Sequence, residues 1–205
     1  MPFIPAYRIV TPQLVLRCYN PCDAPLLAAA ITESLEHLRP WMPWAASEPE
    51  SVEVKISHLR RFRANFDQDV EYVFGIFNLQ ETRLLGGTGL HRRVGPNALE
   101  IGYWIHKDYL NRGFATEASA ALTRVAFELH RVERVEIHCA TENVRSAAVP
   151  RKLGYTHEAT LKDRSTFYDH KCDQLVWSLF AGDYPHSPAA QLEIAAYDAA
   201  ERRIV

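Results

Sequence analysis

A short loop in front of an apolar helical segment carries the first residues that could do chemistry. Residues 109–117 read YLNRGFATE and join a predicted strand to a predicted helix. A glycine in such a loop lets several backbone N–H groups at the helix start point to one place, with the positive end of the helix dipole behind them. This arrangement suits a phosphate group, with Gly113 leaving room for its approach and Arg112 adding a cation. Taken alone, the loop is interpreted equally well as an ordinary helix start that contains a glycine and binds no phosphate.

Two common nucleotide-binding patterns are absent from the sequence. A Walker loop is excluded because G-x4-G-K-[ST] does not occur, and G-x-G-x-x-G does not occur either. The strands before the loop read as an antiparallel meander rather than as parallel βα units. An enzyme that uses this loop as a P-loop is therefore disfavoured.

A second segment supplies a more specific pattern. Residues 143–155 read NVRSAAVPRKLGY, and EIGYW at 100–104 and RGFATEA at 112–118 precede them. Together these segments resemble the GNAT superfamily of acetyltransferases, in the branch of the ribosomal-protein N-acetyltransferases of the RimJ and RimL type. The N-terminal half agrees through three further segments, LVLR at 14–17, HLRPWMPW at 37–44 and LLGGTGL at 84–90. The resemblance covers about residues 10–182.

The resemblance implies a fold and a cosubstrate. The fold is α/β, the GNAT fold, with a mixed and mostly antiparallel sheet of about seven strands flanked by about four helices. The cosubstrate is acetyl-CoA, with its pyrophosphate on the loop and its pantetheine arm paired like an extra strand with 103–106, where that strand diverges from its neighbour. The cofactor-binding residues implied are Tyr103, Trp104, Ile105, His106, Asn111, Arg112, Gly113, Phe114, Ala115, Thr116, Asn143 and Ser146. Leu110 and Asn111 depart from the usual Gln or Arg and glycine of the family loop.

The resemblance also implies roles in the transfer itself. Asn143 would hydrogen-bond the pantetheine, and Ser146 would lie near the thioester sulfur. A leaving thiol with a pKa of roughly 8.5 needs only modest help, which a Ser146 hydrogen bond supplies. Backbone N–H groups near Ile105 would stabilise the oxyanion. Other GNAT branches carry a tyrosine where this chain has Pro150, which we predict in the first turn of a helix over 146–153.

The general base is open among several side chains. Glu100 is the first candidate, and it would relay a proton through water. Glu100 is equally well interpreted as a structural carboxylate that forms a salt bridge at the end of a strand. His91, His106 and Glu158 are further candidates, each also explained as a structural residue. An α-amine with a pKa of about 7.7–8.0 needs less help than a lysine at about 10.4. A site without an obvious dedicated base therefore favours an α-amine.

Aromatic residues are candidates for the acceptor groove. Trp41 and Trp44 lie in a proline-stiffened loop, where they either line the groove or fill the core. Tyr168, with Phe167, is expected to line the same groove. No metal is expected, because the nine histidines have no H-x-H or HExxH spacing and the cysteines have no paired zinc pattern.

The periodicity of apolar residues predicts the elements that must position these side chains. Strands are predicted over 13–19, 71–77, 83–93, 99–107, 132–140, 155–161 and 174–180, and helices over 24–38, 51–66, 114–130 and 146–153. The domain is predicted to span 1–182. A C-terminal extension, 183–205, is predicted to be helical over 189–203.

Composition excludes several classes of protein. The 205 residues include 23 Lys and Arg against 25 Asp and Glu, with 47% hydrophobic and 23% charged residues, which is typical of a globular domain. A net charge of −2 disfavours a dedicated nucleic-acid binder. We expect no contact with a membrane, since no apolar run is long enough to span one, and a cytoplasmic location, since no secretory signal precedes the domain.

These observations predict an acetyl-CoA-dependent N-acetyltransferase that works by direct attack in a ternary complex. The expected acceptor is a protein or peptide N-terminal α-amine. An amino-acid conjugate, a polyamine or an antibiotic is the alternative acceptor, and a non-catalytic acyl-CoA sensor is the rival class. The resemblance adds a homodimer as an expected partner arrangement.

Overall fold

The computed structural model describes residues 4–167 and 170–205. These residues form one mixed sheet of nine strands with helices on both faces. The strands are β1 (Arg8–Val10), β2 (Leu14–Cys18), β3 (Tyr72–Asn78), β4 (Leu84–His91), β5 (Ala98–Ile105), β6 (Arg134–Ala140), β7 (Thr156–Phe167), β8 (His170–Phe180) and β9 (Ala195–Tyr197). Their order is β7-β8-β6-β5-β4-β3-β2-β1-β9. In the described part of the chain, only β5 and β6 run parallel, and the other pairs are antiparallel. The predicted mixed sheet is confirmed, with nine strands in place of about seven.

Four α-helices cover the two faces of the sheet in the described residues. They are α1 (Ala24–Leu38), α2 (Val52–Asp67), α3 (Phe114–Glu128) and α4 (Val144–Lys152). The apolar side of α1 packs on one face against Val15 and Phe77. The apolar side of α3 packs on the other face against Leu16 and Ile76. The predicted helices are confirmed, α1 with the bounds that the sequence indicates, because Pro40 prevents its continuation.

The C-terminal residues differ from their prediction. The helix predicted over 189–203 is wrong: Pro188–Gln191 form a 3-10 turn, and β9 adds to the edge strand β1. Ala196 is fully buried there, and Asp198 accepts N–H bonds from Ala200 and Arg202 that turn the chain back. Strand pairing therefore overrides the helical propensity of this alanine-rich stretch.

Within the described residues, each helix is too short or too polar to cross a lipid bilayer.

Candidate active site

Strands β5 and β6 diverge in the middle of the sheet. Their parallel pairing ends at Glu100 with Glu136, while β5 stays paired with β4 as far as Ile105. The N–H of His106 donates to Leu85 on the β4 side, 2.8 Å away. The Ile105 carbonyl belongs to the same peptide group as this N–H. Because the C=O and N–H of one peptide group point in opposite directions, the carbonyl faces the gap between β5 and β6. This gap offers strand-like backbone groups to an extended ligand.

Helix α3 begins at the mouth of this gap. Asn111 and Gly113 have φ values of 61° and 83°, and the first helical bond runs from the N–H of Glu117 to the carbonyl of Gly113 at 2.9 Å. The N–H groups of Phe114 and Thr116 precede that bond and have no carbonyl one turn earlier in the helix. A Cβ at Gly113 would meet nothing within 4 Å, so open space lies beside this backbone. The geometry fits an anion at the helix start.

An acidic residue in the same turn is kept away from that anion site. The carboxylate of Glu117 accepts hydrogen bonds from Thr11 Oγ1 at 2.6 Å and from the Gln13 backbone at 2.8 Å. Its second oxygen accepts from Gln13 Nε2 at 2.5 Å. Glu117 therefore ties α3 to the loop between β1 and β2, and its charge is compensated by hydrogen bonds there.

Helix α4 brings the predicted serine to the other side of the gap. Asn143 caps α4, and its Oδ1 accepts from the N–H of Ser146 at 3.0 Å. This bond fixes the amide and leaves its Nδ2 donors for a ligand. The Tyr103 hydroxyl lies 2.9 Å from Ser146 Oγ. The prediction for Pro150 is wrong, because α4 begins at Val144 and Pro150 lies near its end.

These elements enclose one cavity of about 330 Å³, called here the central cavity. It is lined by His37, Leu38, Trp41, Met42, Tyr103, Trp104, Ile105, Tyr109, Leu110, Asn111, Gly113, Phe114, Ala115, Thr116, Asn143, Arg145, Ser146, Ala148, Val149 and Lys152. The structure thus brings most of the predicted cofactor residues together. The central cavity is therefore shared by the β5–β6 gap, the start of α3 and Ser146.

Two predicted cofactor residues lie outside this lining. The buried His106 ring is 3.2 Å from Glu33 and accepts the N–H of Asp108 at Nδ1, also at 3.2 Å. Arg112 places its guanidinium over the Tyr109 ring, 5.2 Å from the ring centre. The His106 ring is 5.4 Å from the Tyr109 ring, so both residues contact a residue of the lining.

The expectation of no metal stays a prediction. In the described part of the chain, Glu33, His106 and Asp108 place ligand atoms within 4.8 Å of one another. Since His106 Nδ1 accepts a backbone N–H, the ring proton resides on Nε2, where it faces Glu33. That nitrogen is then a donor, so this group is a poor match for a metal.

The candidate bases are already engaged in ion pairs or hydrogen bonds. The Arg93 guanidinium donates two hydrogen bonds to the carboxylate oxygens of Glu100, at 2.7 and 2.6 Å. Burial raises the pKa of Glu100, but the bonds and the charge of Arg93 outweigh this effect and hold the pKa below its usual value. The His91 ring bonds Glu71 at 2.5 Å and lowers the pKa of that carboxyl. Glu158 accepts from Ser178. None of Glu100, His91 and Glu158 lines the central cavity, and their catalytic roles stay predictions.

The predicted groove residues divide between the cavity and its surroundings. Trp41 lines the central cavity. Trp44 is 39% exposed and packs edge-on against Trp104, with ring centres 6.1 Å apart. Tyr168 lies outside the described residues.

His37 is a cavity residue that the sequence reasoning missed. Its Nε2 lies 2.9 Å from the Ile105 carbonyl, which accepts the bond, so this nitrogen carries the proton. Burial lowers the pKa of His37, an effect that the bond to Ile105 opposes and nearby cationic groups reinforce. A lone histidine near the end of α1 gives no sequence signal for this contact. Arg145 and Lys152, also in the lining, were missed because exposed cations near a helix are common.

Known proteins share this fold and pattern. Residues 13–156 match the family described as Acetyltransferase (GNAT) domain. YdaF of Bacillus subtilis (strain 168), assigned by name to the ribosomal N-acetyltransferases, is 29% identical over 155 residues, which cover 75% of this chain and 84% of YdaF. A Vibrio cholerae protein assigned by name to the ribosomal-protein-serine acetyltransferases is 28% identical, with a TM-score of 0.71 over 86% of this chain and 99% of its own. RimL, named as a ribosomal L7/L12 alpha-N-protein acetyltransferase and solved with coenzyme A, shares the fold with a TM-score of 0.76 at 20% identity, over 87% of this chain and 98% of its own.

Proposed function

Because the chain belongs to the GNAT family and is an acetyl-CoA-dependent N-acetyltransferase, we propose that its acceptor is the N-terminal α-amine of a protein or peptide. The amine attacks the thioester directly in a ternary complex. The observation that carries the proposal is the continuity of the α3 start, the β5–β6 gap and Ser146 within one cavity.

The helix start supports binding of the pyrophosphate. Its unpaired N–H groups and the open space beside Gly113 suit an anion, and Arg145 and Lys152 add positive charge to the same lining. The β5–β6 gap supports binding of the pantetheine arm through backbone groups, with Asn143 Nδ2 as a further donor. A ligand amide that pairs with the Ile105 carbonyl displaces the His37 bond.

The residues around the gap support direct attack. The N–H of Ile105 faces the gap with its carbonyl and is suited to hold the oxyanion. In this proposal, Ser146 donates a hydrogen bond to the sulfur. Burial raises the pKa of the Cys139 thiol, so the thiol stays protonated and is a poor nucleophile.

The state of the nearby carboxylates supports an α-amine as acceptor. Burial raises the pKa of Glu100, but the bonds and charge of Arg93 lower it overall, and the hydrogen bond with His91 lowers the pKa of Glu71. A carboxylate with a lowered pKa is a weak base. At pH 7 deprotonation costs about 1 kcal/mol for an α-amine and nearly 5 for a lysine, at about 1.4 kcal/mol per pKa unit. The names of the two relatives near 30% identity agree with a ribosomal-protein acceptor.

The test is thiol release from acetyl-CoA across peptide N-termini, free lysine, polyamines, amino acids and aminoglycosides. We expect turnover with peptide α-amines and a fall of about tenfold or more in Ser146→Ala. Ser57→Ala is the matched control, because Ser57 lies on the exposed side of α2 and bonds only its own helix. Stronger turnover with lysine or with a small amine would overturn the acceptor. CoA binding without turnover on any amine would indicate an acyl-CoA sensor.

A further inference from the structure

The side chain of Tyr103 reaches from β5 to α4 and ends beside Ser146. Its hydroxyl oxygen lies 2.9 Å from Ser146 Oγ and 3.1 Å from the Ser146 carbonyl oxygen. Both residues line the central cavity. A tyrosine hydroxyl has one proton and can therefore donate to either of these oxygens.

Pro150 explains why the Ser146 carbonyl can accept a bond from outside its helix. In an α-helix a carbonyl accepts from the N–H four residues later. For Ser146 that residue is Pro150, which lies inside α4 and has no N–H. The Tyr103 hydroxyl therefore meets an acceptor that lacks its usual helical partner, and the bond links α4 to β5.

On the basis of the proposed function, which puts the CoA sulfur in this cavity, we propose that Tyr103 is a positioning residue for the leaving group. Its hydroxyl donates to Ser146 Oγ and so directs the Ser146 proton to the sulfur. The Ser146 carbonyl is the second acceptor, and it holds the Tyr103 hydroxyl in place when no ligand is bound.

The chemistry makes this pair a source of hydrogen bonds and not of a proton. In the transfer a C–N bond forms and the C–S bond breaks, its electron pair stays on sulfur, and the amine proton leaves to water. Burial raises the pKa of the Tyr103 hydroxyl, although its bond with Ser146 opposes this. A thiolate whose acid has a pKa of about 8.5 cannot remove that proton. The pair therefore stabilises the thiolate as it forms, through two aligned donors.

The first test measures the CoA thiol and needs no acceptor. The ultraviolet absorbance of the thiolate, followed through a pH titration, gives the pKa of the thiol in bound CoA. We expect a value below that of free CoA in the unaltered protein, and a value higher by about 0.5–1 unit in Tyr103→Phe, the equivalent of one lost hydrogen bond. Tyr155→Phe is the matched control, because it removes a buried hydroxyl bonded to Thr123 at 2.6 Å, outside the cavity. A thiol pKa equal in Tyr103→Phe and the unaltered protein overturns the proposal.

The second test separates leaving-group positioning from support of the helix. We expect Tyr103→Phe to lower kcat about 5- to 10-fold with little change in KM for acetyl-CoA, and to have almost no further effect in Ser146→Ala. Pro150→Ala restores the missing N–H to the Ser146 carbonyl. If Tyr103 only supports α4, Pro150→Ala rescues the kcat of Tyr103→Phe. The proposal is overturned if Pro150→Ala restores the kcat of Tyr103→Phe, or if Tyr103→Phe and Ser146→Ala lower kcat independently of each other.

The two proposals fail in different ways. If the thiol pKa differs between the variants but no amine is acetylated, the proposed acceptor is wrong and the role of Tyr103 is supported. If peptides are acetylated but the thiol pKa is the same in all variants, the acceptor is supported and the role of Tyr103 is wrong. Lack of CoA binding by the unaltered protein overturns both.

Discussion

Arg93 binds both carboxylate oxygens of Glu100, with Nε to Oε2 at 2.7 Å and Nη2 to Oε1 at 2.6 Å. The carboxylate side chain is 9% exposed, whereas the arginine side chain is 59% exposed. The buried Glu100 carboxylate is thus kept ionised by the more exposed Arg93 guanidinium. This relationship makes Glu100 a stabilising residue whatever its part in proton transfer.

We expect Glu100→Gln to lower the free energy of unfolding by about 1–2 kcal/mol at pH 7, because it weakens two charge-assisted bonds. The folded pKa of Glu100 is lowered, so its contribution is present above the unfolded value of about 4.3 and is lost as the pH falls through the folded pKa. Urea unfolding of both proteins from pH 7 to pH 4 and below checks this. Glu36→Gln, at an exposed position of α1, is the control. A difference that persists undiminished at the acid end would contradict the ion-pair account.

Histidine titration adds a second pH effect, at higher pH. Burial, reinforced by the charge of Arg92, lowers the pKa of His130 to about 3. The unfolded state, with a pKa of about 6.5, then binds more protons, so stability falls as the pH drops below that value. We expect a loss of about 1–2 kcal/mol between pH 6.5 and pH 5, a window above the carboxylate titrations.

His130→Phe tests the source of this loss and keeps a ring against Tyr72, whose ring centre is 4.7 Å from that of His130. The variant should lose less stability over the same window, and the lowered pKa of His37 should account for part of what remains. Equal pH slopes in the two proteins would rule out His130 as the cause.

The C-terminal residues belong to the main core rather than to an appendage. Ala189 is fully buried and lies in the same apolar cluster as α3. We expect Ala189→Asp to lower the free energy of unfolding by about 3 kcal/mol or more, because an unpaired charge is buried. Ala181→Asp, at an exposed position, should change it by less than about 0.5 kcal/mol. Thermal unfolding of the two variants compares them directly, and equal effects would indicate a detachable tail.

The sequence predicts features whose cause is local. Pro40 ends α1 where expected, and Gly113 marks the helix start because a loop glycine and the apolar period that follows are both visible in the chain. The three-residue strands β1 and β9 are too short to show a period. They form because β1 pairs with β2 on one side and with β9 on the other. Their formation depends on tertiary contacts that local propensity does not contain.

The same division holds at the site. The loop 111–116 and Ser146 are visible as motifs, but the bond between Tyr103 and Ser146 joins residues 43 positions apart and depends on where β5 and β6 diverge. The contact of His37 with Ile105 spans 68 positions, and the segments that contain these two residues do not indicate that they touch. Side-chain contacts across the gap are therefore set by the assembled sheet, and sequence patterns indicate only the elements that provide them.

Gly113 offers a test of the anion site in which backbone strain is controlled. Its φ of 83° is costly for other residues, and the space beside it is open. Gly95 has a φ of 100° and equally open surroundings, but it lies outside the central cavity. Alanine at either position should cost about 1–2 kcal/mol of stability, because both force a side chain into the left-handed region.

Only Gly113→Ala should also raise the KM for acetyl-CoA, by about tenfold, because its methyl group occupies the space beside the anion-binding N–H groups. Equilibrium binding of CoA and of pantetheine, which lacks the pyrophosphate and the nucleotide, separates the two ends of the ligand. Gly113→Ala should weaken the first and leave the second near its unaltered value. Equal weakening of both ligands, or an equal KM change in Gly95→Ala, would mean that strain rather than lost anion contact is responsible.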